Sequence, residues 1–166
     1  MASDKGSLPG TVRAGLWYDP QPKAHADSSR SYRDDTGFYI SADQMLAREN
    51  DDPADTQGLG GFFRYGYAHS RANDITHFYS FGFQYQGLLD GRDDDILGLG
   101  LAWGVFSDAA DVTYTEDYEK AVELYYSAQV NDWLALSPSI QYITHPAGDE
   151  SIDDAVVLGL RAGMTF

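Results

Sequence analysis

There is no cysteine in this chain, and basic residues are scarce: 11 Lys and Arg stand against 26 Asp and Glu, a formal charge of −15. The first absence excludes a disulfide framework and a thiolate zinc site, and leaves the redox compartment undecided. The second excludes nucleic acid as a partner, because neutralising phosphates needs clustered Lys and Arg. No run approaches the ~18 consecutive apolar residues of a transmembrane helix; a membrane β-barrel stays open. A secretory h-region is also missing from MASDKGSLPG, so residues 1–10 read as leader or added residues. They precede one β-barrel domain or half-barrel over 11–166.

Aromatic residues and glycine are plentiful instead: 12 Tyr, 8 Phe and 17 Gly in 166 residues. Rings suit a pleated surface and Gly weakens helix interiors, so an all-β fold follows. Eight period-two segments alternate with Asp-rich and Gly-rich connections: 11–18, 37–46, 59–68, 77–87, 96–106, 118–130, 133–144 and 154–166. Only 42–48 is also compatible with a short helical turn.

Sorted by parity, the segments show unlike faces. One collects Val12, Leu16, Phe63, Tyr65, Phe81, Phe83, Leu99, Leu101, Val122 and Leu124. The other collects Arg13, Trp17, Arg64, Ser80, Gln84, Glu123, Tyr125, Ser127, Gln129, Ser137, Ser139, Gln141 and Arg161. A soluble barrel turns its apolar face inward, whereas an outer-membrane barrel turns it to lipid and lines a lumen with the polar one. Three features favour the membrane barrel. The polar face is Gly, Ser, Gln, Arg and Tyr rather than Lys and Glu, and the segments run to about ten residues, enough for a tilted span. Tyr and Trp recur near segment ends at Trp17, Tyr18, Tyr67, Tyr79, Tyr85 and Trp133, as an interfacial girdle requires.

Loop lengths orient the scheme. Asn131-Asp132 reads as a two-residue hairpin, while 19–36 and 107–117 are long and polar. Short turns are periplasmic in bacterial outer-membrane barrels, which predicts a periplasmic location for both termini, 47–58 and 88–95. It places 19–36, 69–76, 107–117 and 145–153 outside.

Several stretches carry a resemblance in consistent order: GFYISADQML, GLGGFFRYGYA, GLLDGRDDDILGLGLAWG, YEKAVELYYSAQVNDWLALSPSIQYITHPAG and the closing LGLRAGMTF. From about Ala14 to Phe166 the chain resembles the carbohydrate-selective porins of the OprB type, whose terminal aromatic Phe166 matches. The resemblance implies a Gram-negative outer-membrane channel passing sugars such as glucose by diffusion, with outer-membrane lipid or detergent as partner. Members have about sixteen strands; this chain is similar to the C-terminal half alone. Eight strands closed on themselves leave an interior filled by side chains. A missing N-terminal half, self-association of two copies, or a small closed barrel each answers that shortfall.

Within a lumen, Arg13, Arg64 and Arg161 offer donors to sugar hydroxyls, and Gln84, Glu123, Gln129 and Gln141 offer acceptors and further donors. Mutual neutralisation of Arg and Glu across the lumen explains the same charges. Trp17 and Tyr125 present rings for stacking on a sugar, or for filling space. The clusters Asp51-Asp52-Asp55 and Asp93-Asp94-Asp95 lack calcium-loop spacing and read as solvated turns, with Arg92 pairing locally. His25, His69, His77 and His145 are scattered, and no G-x-S-x-G stretch supplies a nucleophile, so neither an enzyme nor a cofactor is expected. The competing reading is a small soluble or membrane eight-stranded barrel that binds a ligand or is structural, without conductance.

Overall fold

Period-two alternation becomes one antiparallel sheet in the computed structural model, in which residues 8–24, 31–52, 55–109 and 113–165 are described. The strands are β1 (Gly10–Asp19), the two-residue β2 (Lys23–Ala24) and β3 (Ser31–Tyr32), β4 (Asp35–Arg48), β5 (Gly58–Ala68) and β6 (Ile75–Gln86). They continue with β7 (Ile96–Phe106), β8 (Tyr118–Asn131), β9 (Leu134–Thr144) and β10 (Ala155–Met164). β2 and β3 pair with each other, and the remaining eight form one sheet in the order β1-β4-β5-β6-β7-β8-β9-β10. β1 and β10 are its two edges and do not pair with one another, so the described residues form an open half-barrel.

Each expected segment becomes one strand, with no end displaced by more than two residues. Two local expectations are corrected. Residues 42–48 stay extended to Arg48, and the irregularity that mimics a helical turn is a bulge between Met45 and Ala47. The tight hairpin is Asp132–Trp133 rather than Asn131-Asp132, because Asn131 still pairs with Leu134. The Asn131 side-chain oxygen accepts from the amides of Trp133 (3.1 Å) and Leu134 (3.0 Å), a local bond that favours Asn just before a turn.

Register aligns the two faces across the whole sheet. Ala42, Phe63, Phe81, Leu101, Val122 and Tyr142 follow one another strand by strand on the apolar face. Among the described residues no apolar side chain is buried; those most hidden are polar, including Asp35, Thr76, Asp95 and Ser107. Leu16, Leu158 and Leu160 are 88%, 78% and 75% exposed on the edge strands, and Phe83 and Leu99 are half exposed in the centre of the sheet. A soluble barrel would reverse this distribution.

Toward the end that carries loops 69–74 and 107–117, the apolar face bears a chain of touching rings. Centroids lie 5.7 Å apart for Phe38–Tyr65, 5.0 Å for Tyr65–Tyr79, 5.5 Å for Tyr79–Trp103, 5.9 Å for Trp103–Tyr118 and 4.6 Å for Tyr118–His145. Tyr65 and His77 are also hydrogen-bonded at 2.9 Å. This is an aromatic girdle at a membrane interface. Lys120 lies among these rings, its ammonium 5.2 Å from the Tyr118 centroid, a snorkelling position for a cation on an otherwise apolar face. Trp17 is not part of the girdle: it faces the other way, opposite Gly37.

Candidate functional site

The polar face is built in rows, because antiparallel register sets residues of successive strands side by side. One row at mid-strand height reads Thr11, Asp43, Phe62, Gly82, Gly100, Glu123, Gln141 and Val157. The adjoining row begins Arg13, Ser41, Arg64 and Ser80. Asp43 and Glu123 therefore stand at one level about 19 Å apart along the wall, four interstrand steps. Between them Gly82 and Gly100 leave room for the Phe62 ring, which covers the first and reaches the second.

Around Asp43 the charges converge. Arg13 Nη1 donates to Asp43 Oδ2 at 2.9 Å, and Arg64 Nη2 lies 3.8 Å from Oδ1. The Arg64 guanidinium sits over the Phe62 ring, 4.7 Å from its centroid. Small Ser41 separates the two arginines and lets both reach one carboxylate. These groups flank a concavity of about 590 Å³ lined by Asp43, Phe62, Arg64 and Gln84. All are partly exposed, so the pairing adds little stability and leaves the charges available to a solute.

A second concavity of about 370 Å³ holds Glu123, Tyr125, Ser139, Gln141 and Arg161. Gln141 Nε2 donates to Glu123 Oε1 at 3.1 Å, and the Tyr125 hydroxyl donates to Gln84 Oε1 at 3.3 Å, linking the two concavities. Arg161, opposite Ser137, makes no ion pair among the described residues.

Rings on this face lie flat over cross-strand glycines. A Cβ added to Gly98 would fall 2.3 Å from Tyr125, and one added to Gly37 would fall 2.4 Å from Trp17. Tyr39 covers Gly15 and Phe62 covers Gly82 in the same way. Covering a glycine with a neighbouring ring stabilises the strand pair and keeps the side chain against the wall.

The carbohydrate-selective porin family, OprB, matches residues 2–166. The chain belongs to the OprB family. Porin B of Pseudomonas aeruginosa is 27% identical over 191 residues, spanning 96% of this chain and 42% of that protein. The putative porin QuiX of Acinetobacter baylyi is 28% identical over 182 residues, spanning 96% and 41%. The high-pH structure of Pseudomonas putida OprB superposes with a TM-score of 0.85 at 24% identity, covering 96% of this chain and 45% of that one. This chain thus spans less than half the length of the porins it matches. It has half of the OprB fold, eight antiparallel strands of a transmembrane β-barrel, with an apolar outer face and a polar face turned to the lumen side.

On that lumen face the structure brings together Arg13 with Arg64, Gln84 with Tyr125, and Glu123 with Gln141 and Arg161. Trp17 stands apart near the end of β1, its ring 5.2 Å from the Lys23 ammonium. Gln129 joins none of them. Its side chain donates to the Asn131 carbonyl at 2.7 Å, and its backbone belongs to the clip below. Asp43, the hub of the first group, was missed by parity reasoning because Phe38, Tyr39 and Ile40 run consecutively in β4 and hide which face is polar.

Buried carboxylates hold the OprB half-barrel at its two ends. Asp35 binds the Lys23 ammonium at 2.5 Å and Asn73 Nδ2 at 3.0 and 3.1 Å, tying 20–24 to 69–74. The hydrogen bond to Asp35 holds the Lys23 ammonium above its ordinary pKa. At the opposite end Asp95 takes a bidentate pair from Arg92 at 2.7 and 2.8 Å, the Tyr126 hydroxyl, and the Gln129 amide at 2.9 Å. Burial pushes the Asp95 carboxyl up, but those hydrogen bonds outweigh it and hold the group below the usual carboxylate range. Arg92 thus pairs locally, as expected.

Proposed function

We propose that this chain forms one half of an outer-membrane sugar channel, whose lumen face passes hexoses such as glucose by passive diffusion. The observation that carries the reading is the mid-height level where Asp43, Phe62, Glu123 and Gln141 are flanked by Arg13 and Arg64. Mixed donors, acceptors and a ring at one level suit neutral polyhydroxyl solutes, which need hydrogen-bond partners more than net charge. Arg161, Tyr125 and Gln84 continue that lining, and Trp17 stands toward the mouth. Gln129 serves the turn rather than the lumen in this reading.

The two-residue turn at 132–133 supports a periplasmic end that also holds both termini and the connections 49–57 and 87–95. Loops 20–34, 69–74, 107–117 and 145–154 face outward. The 11–166 domain acts with a further set of strands, from a longer chain or a second copy, because its own edges are unpaired. Lipid or detergent covers the apolar face, and the chain carries sugars without transforming them.

Proteoliposomes containing the refolded protein are expected to swell in isosmotic glucose. Unchanged vesicle volume at every protein load would favour a small eight-stranded barrel without conductance instead.

A further inference from the structure

Toward the long-loop end of the lumen face, one row alternates glycine with rings: Gly15, Tyr39, Gly66, Phe78 and Gly104. Tyr39 and Phe78 stand two interstrand steps apart, about 10 Å. Gly66 lies between them, and a Cβ built there would meet nothing within 4 Å. Trp17 joins from the adjacent row, lying flat over Gly37. A slot of about 210 Å³ results, lined by Trp17, Tyr39, Phe78 and Ile75 and floored by Gly66.

We infer that this slot is a stacking site for one pyranose ring, the first that a sugar meets on entering from the loop end. The inference rests on the sugar-channel reading above and assigns it a binding position that the charged mid-height level does not supply. Trp17, Tyr39 and Phe78 are 36%, 49% and 40% exposed on the water-facing side, where solvation by lipid does not explain them. Trp17 and Tyr39, held flat against Gly37 and Gly15, present their faces, and a ring face takes the C–H face of a pyranose. The indole N–H and the phenol hydroxyl remain to meet sugar hydroxyls. An apolar solute would not need these polar handles. An anion would be better served by Arg13 and Arg64 lower down, which face no part of the slot.

The test is saturation-transfer NMR with methyl β-glucoside on the full chain, folded in a phosphocholine detergent so that no glycosidic headgroup competes. Transfer to the sugar C–H protons is expected in the unchanged protein. Gly66→Leu, which fills the floor, and Trp17→Ala, which removes a wall, should each weaken binding about tenfold, the cost of one stacking contact. Gly66→Ala should fold and bind nearly as before, since its methyl enters open space, and it separates filling of the slot from misfolding.

Sugar binding that persists in Gly66→Leu and Trp17→Ala but falls in Arg64→Gln overturns the slot and leaves the channel reading intact. Absence of transfer in the unchanged protein overturns the slot outright. Glucose-driven swelling of vesicles then decides the channel reading separately.

Discussion

Asp43 accepts from Arg13 and faces Arg64, so Asp43→Asn leaves two guanidinium groups on the lumen wall without their counter-charge. The expected result is a shift toward anion selectivity, read as a changed reversal potential across a KCl gradient; an unchanged potential would place these groups away from the ion path. Asp95 has a different task, receiving four donors in a buried position. Asp95→Ala is expected to cost about 2–3 kcal/mol in urea unfolding, the range for losing hydrogen bonds to a charged group. Because its folded pKa is depressed, this contribution is present in full above about pH 4 and is lost as pH falls through the folded value. The protection factor of the Gln129 amide, its exchange taken against the intrinsic rate at each pH, should fall in acid for the unchanged protein, and Asp95→Asn should flatten that dependence.

At the scale of the strand, neighbouring positions have opposite environments. Leu101 belongs to the apolar row with Phe81 and Val122, while Ala102 shares a row with Ser80 and Ala121 on the lumen face. Leu101→Arg is expected to destabilise the folded protein in vesicles by about 2–4 kcal/mol, the cost of a cation facing lipid near the midplane. Ala102→Arg should cost far less, and chemical denaturation of both variants checks the contrast. This alternation was legible in the sequence wherever apolar and small or polar residues alternate, as in β7 and β10, where facing was readable; in β7 both strand limits were too, while β10 stops at Met164, two residues short of the expected end. It failed in β4, whose consecutive Phe38, Tyr39 and Ile40 carry no parity signal, and so Asp43 and Tyr39 went unassigned. Gln129 stands apart from the other lumen candidates for another reason: period two continues to the end of β8, but bonds to Asp95, Arg92 and Asn131 occupy its backbone and side chain in that last turn. Trp17 satisfied both a girdle rule and a lumen rule, and only the cross-strand partner Gly37 separates them.

Taken whole, the described residues bury no apolar side chain; Phe81, Phe83, Leu99 and Leu101 with their row neighbours cover the apolar face, and cohesion comes from backbone ladders, ring contacts and the two carboxylate clips. Removal of detergent should therefore turn a monodisperse preparation into aggregates, as followed by light scattering, while a protein that stays monodisperse in buffer would contradict the outward placement of Phe83 and Leu99. The two edge strands add a consequence of parity. With an even number of strands, β1 and β10 run in opposite directions, and successive connections alternate between the two ends of the sheet. Any second even-numbered set with the same loop polarity meets both edges antiparallel without inverting in the membrane. A unit of this kind can be duplicated, fused or exchanged between barrels as a cassette, with the circumference rather than the topology changing. An odd-numbered set could not, because one seam would be forced into parallel pairing.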